Sequence, residues 1–313
     1  MTATVTPLAE RPDTTPVVGN TRRPRPRPLL IPATAFLVLV TQVPFFVTLY
    51  YSFRRWNLLR PDVPQRWVGL RNYVDQLTTD PSIYRTVWHT LLLTGSTVIL
   101  GLVLGLGLAM LLNGSFPGRA LARTLLITPM LVMPVVAGLI WKRLLLDSGS
   151  GLLPWLADRL ANAQFAPLTD QPMLWIIVIL VWQWAPFSMI ILLSGLSSRD
   201  PSIVEAATVD GASGWALFWY ITLPHLRSYL AVAFLLSTVL VLPTFGIVYV
   251  TTAGGPGYAT TNLAFAVYQQ AFTNYSVGAA SALALINVIL VIVALTGLVR
   301  VMGGHLVRGE EIK

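Results

Sequence analysis

The sequence predicts an all-α, polytopic membrane protein with six transmembrane helices, and three observations carry that prediction. The chain has 313 residues, 55% hydrophobic and only 11% charged, whereas soluble domains carry about a quarter charged residues. Six apolar runs, residues 29–51, 89–112, 124–145, 172–196, 228–250 and 278–302, each have about the 20 residues that a bilayer core requires. Tyr50, Tyr51, Trp56, Trp88, Trp141, Tyr229 and Tyr249 stand at or near the ends of these runs, where amphipathic rings favour the headgroup level. An even number of spans puts both termini on one side.

Residues 1–28 are polar and Pro-rich, closing in TRRPRPRP. Such a stretch buries too little apolar area to offset the entropy of ordering, which predicts a disordered cytoplasmic tail ahead of a membrane domain at 29–313. The run at 29–51 is too long for the apolar region of a secretory signal and lacks a small-residue cleavage site behind it, so it reads as a retained first span. Three connections, 52–88, 147–171 and 251–277, lie on the side away from the termini. The first contains WVGLRNYVDQL, which reads as an amphipathic interfacial stretch. In the third, Gly254-Gly255-Pro256-Gly257 predicts a tight turn.

Several function classes are excluded. The chain has no cysteine, which removes disulfides, thiolate metal sites and a Cys nucleophile. His89, His225 and His305 fall on different segments with no carboxylate at ligand spacing, so neither a metal site nor a His-based hydrolase is expected. The net charge of +8 is scattered between apolar runs, which suits anionic lipid and polar loops rather than nucleic acid. Counting Lys and Arg gives 12 on the side of the termini and 9 on the other. The cluster Arg22, Arg23, Arg25 and Arg27 before the first run favours a cytoplasmic N-terminus, although Arg54 and Arg55 after that run oppose it.

The segment at 197–227 holds Arg199, Asp200, Glu205, Asp210 and Arg227. Charges at a bilayer centre cost about 2.5 to 3.5 kcal/mol each, so this is a loop outside the membrane. Asp200-Pro201 is a helix start, with Asp accepting from free N–H groups and Pro presetting φ. Glu205 then lies near the positive end of the helix dipole, and Ala206 and Ala207 leave a low surface for close packing. Gly211 can turn the chain into a second short helix at 215–220, with Pro224 opening the fifth span. A short stiff helix pair between two spans is what mechanical coupling to a cytosolic partner needs; an amphipathic loop lying on the membrane is the alternative.

The spacing Glu205-Ala206-Ala207, Gly211, Ile221, Leu223-Pro224 resembles the EAA loop of binding-protein-dependent ABC importer permeases, and Asp210-Gly211-Ala212 with the ITLP ending is similar to the sugar-importer branch. GLRNY at 69–73, Arg119 and Arg123 before the third run, and TAGGPGYATTNLAFAVYQQAF at 252–272 extend the resemblance from residue 29 onward. The resemblance implies a type I ABC importer permease fold in the bacterial inner membrane with both termini cytoplasmic. It implies that Glu205, Ala206, Ala207, Asp210 and Gly211 couple to an ATPase. The implied assembly has a second permease, two cytosolic ATPase subunits and an extracytoplasmic solute-binding protein. The chain lacks the extra spans and the large insertion of the best-known maltose subunit.

A phosphate-cradling GxxxxGK[ST] loop needs a Gly-Lys pair, and neither Lys142 nor Lys313 follows a glycine. The chain therefore binds no ATP or other cofactor of its own by this reading; ATP and Mg²⁺ belong to the partner ATPase. A proton-coupled carrier would place ionisable groups inside the spans, and the six runs carry none away from their ends, although a sodium-coupled one could use carbonyls and hydroxyls alone. An assembly protein with no conduit is a third class, and would show no polar groups facing a common cavity.

Polar side chains inside spans are the candidate substrate contacts: Trp182, Gln183, Ser237, Thr238, Thr244 and Asn287. Aromatic faces with amides and hydroxyls suit a neutral carbohydrate, sugar or sugar alcohol. Importers of glycerol phosphate or glycerophosphodiesters share the family, but an anionic ligand would want a counter-ion that the spans lack. The same residue types also hold helices together. Pro129, Pro134, Pro186 and Pro243 interrupt the third, fourth and fifth runs, where each removes a helix hydrogen bond and permits a kink.

Overall fold

The computed structural model describes residues 27–79 and 81–306, with side chains placed for 31–79 and 81–300. The tail predicted at 1–28 lies outside the described residues except for Arg27 and Pro28, which open the first helix, α1 (Arg27–Ser52). The chain divides into two compact units at Phe46 and Val47. The first holds most of α1, where Phe36, Leu37 and Leu39 are exposed apolar side chains.

The second unit takes in the end of α1 from Val47 and continues with a two-stranded antiparallel pair, β1 (Arg54–Arg55) and β2 (Arg66–Trp67), then α2 (Arg71–Val74) and a π turn at Asp75–Thr79. The stretch read as interfacial is anchored by side chains. Buried Asn72 donates to the Ser52 and Arg54 carbonyls at 2.7 and 2.9 Å, and the Tyr73 hydroxyl meets Ser52 Oγ at 2.6 Å.

Next come α3 (Ser82–Asn113), α4 (Arg119–Leu131), α5 (Pro134–Ile140) with a π turn at Trp141–Leu145, α6 (Leu152–Ala161), α7 (Pro167–Asp170) and α8 (Pro172–Ser197). Then follow α9 (Pro201–Val209), α10 (Gly214–Leu217) with a π turn at Phe218–Thr222, α11 (Leu223–His225), α12 (Arg227–Val241), α13 (Gly246–Thr251), α14 (Leu263–Tyr268) with a π turn at Gln269–Thr273, and α15 (Val277–Leu306).

α3 and α8 run side by side in the same direction and form the centre. Val98 packs in one cluster with Ile176, Ile179 and Leu180, and Ala109 and Leu112 in another with Met189, Leu192 and Leu196. Gly101, Gly105 and Ala109, four residues apart, put small buried residues on one face of α3, the arrangement that lets membrane helices approach closely. A Cβ at Gly105 would lie 2.8 Å from Ser188 Cβ and 2.9 Å from the Met189 nitrogen.

Among the described residues, four helices are long and apolar enough to cross a membrane: α1, α3, α8 and α15. The other two predicted spans, the third and fifth apolar runs, are bent. The third run is not a kinked helix but two helices, α4 and α5, meeting at 102° across extended Val132 and Met133. Pro134 has no N–H to continue the ladder and disfavours helical geometry in the residue before it. The fifth run stops at Val241, turns through Leu242, Pro243, Thr244 and Phe245, and resumes as α13. The two resumed pieces interlock, because a Cβ at Gly138 of α5 would press on α13 at Val250 and Ile247, and one at Gly246 would lie 3.0 Å from Val135 Cγ2. Pro224 does not open the fifth span. It sits in α11, and α12 starts at Arg227 after a bend of 63°.

Candidate functional site

Two places combine unusual chemistry with defined geometry: an elbow joining α8 to α12, and a cleft between the two helix breaks.

The elbow starts where the sequence signals it. Asp200 caps α9, its carboxylate accepting from the Ser202 N–H at 2.9 Å, and that bond holds the carboxyl below the ordinary carboxylate range. Gly211 has φ +83°, a conformation in which only glycine carries no steric cost. Ser213 caps α10 by accepting from Ala216 N–H. Arg199 donates to Thr222 Oγ1 at 2.7 Å, and His225 Nε2 meets the Gly195 carbonyl at 2.9 Å. Gly195 leaves room for the Tyr229 ring, whose hydroxyl lies 2.9 Å from Ser198 Oγ. The second limb is thereby fixed to the end of α8.

Glu205, Ala206, Asp210 and Gly211 are exposed and Ala207 is half-buried. Beside them stand Val209, Trp215 and Tyr220, exposed by 87%, 72% and 82%. Sequence reasoning did not assign these three a role. The signal was there, in large apolar residues placed within a charged loop, which mark an interaction surface when they are contiguous.

The cleft lies midway along α8, with a volume of about 300 Å³, lined by Pro134, Val135, Gln183, Trp184, Pro243 and Thr244 among others. Gln183 is 2% exposed. Its Nε2 donates to the Val132 carbonyl at 2.8 Å, an acceptor released by the break between α4 and α5, and an unpaired buried carbonyl would be costly. Its Oε1 is buried without a partner among the described residues. On the opposite wall the Thr244 carbonyl accepts from Asn262 Nδ2 at 2.6 Å, while Asn262 Oδ1 caps α14 at Phe265. Asn262 is fully buried and pins the break in the fifth span, a role that reading it as part of an external loop could not show.

Of the residues proposed for substrate, the cleft brings together Gln183 and Thr244. Trp182 instead packs edge-on against Trp141 at 5.7 Å. Ser237 faces Ser188 across the α8–α12 contact at 3.4 Å, and Thr238 donates to its own helix at Phe234. Asn287 is on α15 and does not line the cleft; its Oδ1 is buried without a partner among the described residues. Among the described residues no charged side chain lines the cleft.

Residues 97–304 match the family described as the binding-protein-dependent transport system inner membrane component. The chain is 35% identical over 274 residues to the trehalose/maltose transport system permease protein MalF of Thermococcus litoralis, covering 85% of this chain and 88% of that one. It is 31% identical over 271 residues to the sn-glycerol-3-phosphate transport system permease protein UgpA of Brucella abortus, covering 86% and 90%. Among solved structures, a chain of a bacterial ABC transporter that imports alginate superposes with a TM-score of 0.74 at 21% identity, covering 88% of this chain and 94% of that one. With the broken spans and the capped elbow in place, these matches make the chain a member of the family of inner membrane components of binding-protein-dependent transport systems, the permease subunits of ABC importers.

Proposed function

We propose that this permease carries a neutral carbohydrate, sugar or sugar alcohol, through the cleft between its two broken spans. The observation that supports this reading is Gln183, an amide with one end fixed and the other buried and unpartnered at a cavity wall that holds no charge. A hydroxyl can donate to that oxygen; an anion would meet a lone pair and no counter-ion. The similarity to a trehalose/maltose permease points the same way. The similarity to a glycerol-3-phosphate permease favours a second reading, an organophosphate importer, against which the uncharged cleft weighs.

In this reading the exposed elbow docks on an ATPase subunit, with Glu205, Ala206, Ala207, Asp210 and Gly211 at the contact and Trp215 and Tyr220 beside them. Two ATPases, which bind ATP and Mg²⁺, serve this chain and a second permease subunit. Both termini face the cytoplasm, and a solute-binding protein delivers substrate at the opposite end of α3 and α8.

The test is uptake by the intact complex, reconstituted with its binding protein and offered labelled maltose, trehalose, sorbitol, mannitol and glycerol 3-phosphate. The expected result is ATP-dependent uptake of a neutral member of the panel, slowed at least tenfold by Gln183→Ala without release of the ATPase. Uptake of glycerol 3-phosphate alone would replace the reading with its rival.

A further inference from the structure

A second cavity, of about 220 Å³, opens at the end of α3 and α8 that lies away from the elbow. The direction follows from the parallel packing of those helices, since α8 runs into the elbow and α3 begins, at Ser82, at the other end. Its walls are two π turns. Gln76 comes from the turn at Asp75–Thr79, and Gln269, Gln270 and Thr273 from the turn at Gln269–Thr273, with Asn274 just beyond. Ile83 and Leu283 supply an apolar floor. Among the described residues no charged one lines it. π turns are rare and occur often at functional sites, and here two of them border one cavity.

The chemistry is specific. Each glutamine offers two donors and two acceptors, matching neighbouring hydroxyls, each of which both donates and accepts. Asn274 Nδ2 donates to Gln270 Oε1 at 3.1 Å, so one amide pair is already oriented. Gln76 and Gln269 have no side-chain partner among the described residues, which leaves their amides for a guest.

The cavity is also joined to the cleft by consecutive residues. Thr261 lines the cavity, while Asn262 binds the Thr244 carbonyl in the cleft wall. The segment is held on α3, where the Leu263 N–H donates to Thr90 Oγ1 at 2.9 Å.

We propose that this amide-lined cavity is an outer subsite for a neutral polyhydroxylated solute of monosaccharide size, occupied between delivery and the cleft. The inference rests on the carbohydrate reading above. The experiment uses the reconstituted complex with its binding protein and whichever labelled sugar of the panel it takes up, measuring uptake and ATP hydrolysis together in Gln269→Leu and, from the facing wall, Gln76→Leu. The expected result is that loaded binding protein still stimulates ATP hydrolysis while the sugar carried per ATP falls about tenfold. Unchanged sugar per ATP in both variants overturns the subsite and leaves the carbohydrate reading intact; no uptake of any neutral sugar by the unaltered complex overturns the carbohydrate reading itself. If one variant fails to assemble, the other wall decides, and failure of both to assemble assigns the amides to structure and overturns the proposal.

Discussion

Asn262 Nδ2 lies 2.6 Å from the Thr244 carbonyl oxygen, joining a loop-side helix cap to the break in the fifth span. Asn262→Asp keeps an oxygen to cap α14 but sets two acceptors against each other. A buried unsatisfied group costs about 1 to 3 kcal/mol. The purified complex should unfold at a lower temperature in that variant, with transport slowed at least tenfold, while Asn262→Leu should lose the cap as well and be worse. Equal melting temperatures for wild type and Asn262→Asp would mean that the bond does not hold the break.

Gly211→Asp and Glu205→Lys should leave the amount of permease in the membrane unchanged and abolish uptake. A Cβ at Gly211 meets nothing within 4 Å in this chain, so the loss would come from the partner's surface and from the αL backbone, which costs an L-residue about 1 to 2 kcal/mol. Co-purification of the ATPase should fall in parallel; wild-type uptake in either variant would count against coupling through the elbow.

Asp200→Ala should free the Ser202 N–H, and amide exchange across the first turn of α9 should quicken, whereas Asp200→Asn should retain most protection. The carboxyl is depressed relative to its unfolded value of 3.8. Its contribution is therefore fully present above that value and is lost as pH falls through the lower folded one. Protection of α9 should hold steady from neutral pH down to about 4 and decline only below; a decline already at pH 6 would point to another group.

Gly105→Leu should destabilise the α3–α8 pair by about 1 to 3 kcal/mol through overpacking, read as a lower melting temperature. Gly107→Ala, where a Cβ would meet nothing within 4 Å, is the control and should shift it little. A Gly105→Leu variant as stable as wild type would show that the contact can relax.

Legibility tracked the range of the determining interaction. The cap at Asp200 and the turn at Gly211 depend on residues within a few positions, and both could be read from the chain. Apolar length alone marked α3, α8 and α15. The complete break at Pro134 was not readable, because a proline in a span is compatible with a modest kink, and what stabilises the break is an amide on α8, 51 residues away. For the same reason Gln183 and Thr244 could be proposed together, while Ser237 and Trp182, equally polar or aromatic in sequence, turn out to face a helix and a ring.

The interlock of α5 and α13 has a consequence for motion. Each discontinuous span keeps its second piece wedged against the other's through Gly138 and Gly246, so neither can straighten while its neighbour stays folded over. Two breaks so meshed are mechanically one unit, and a bulky side chain at either Gly138 or Gly246 should disturb both.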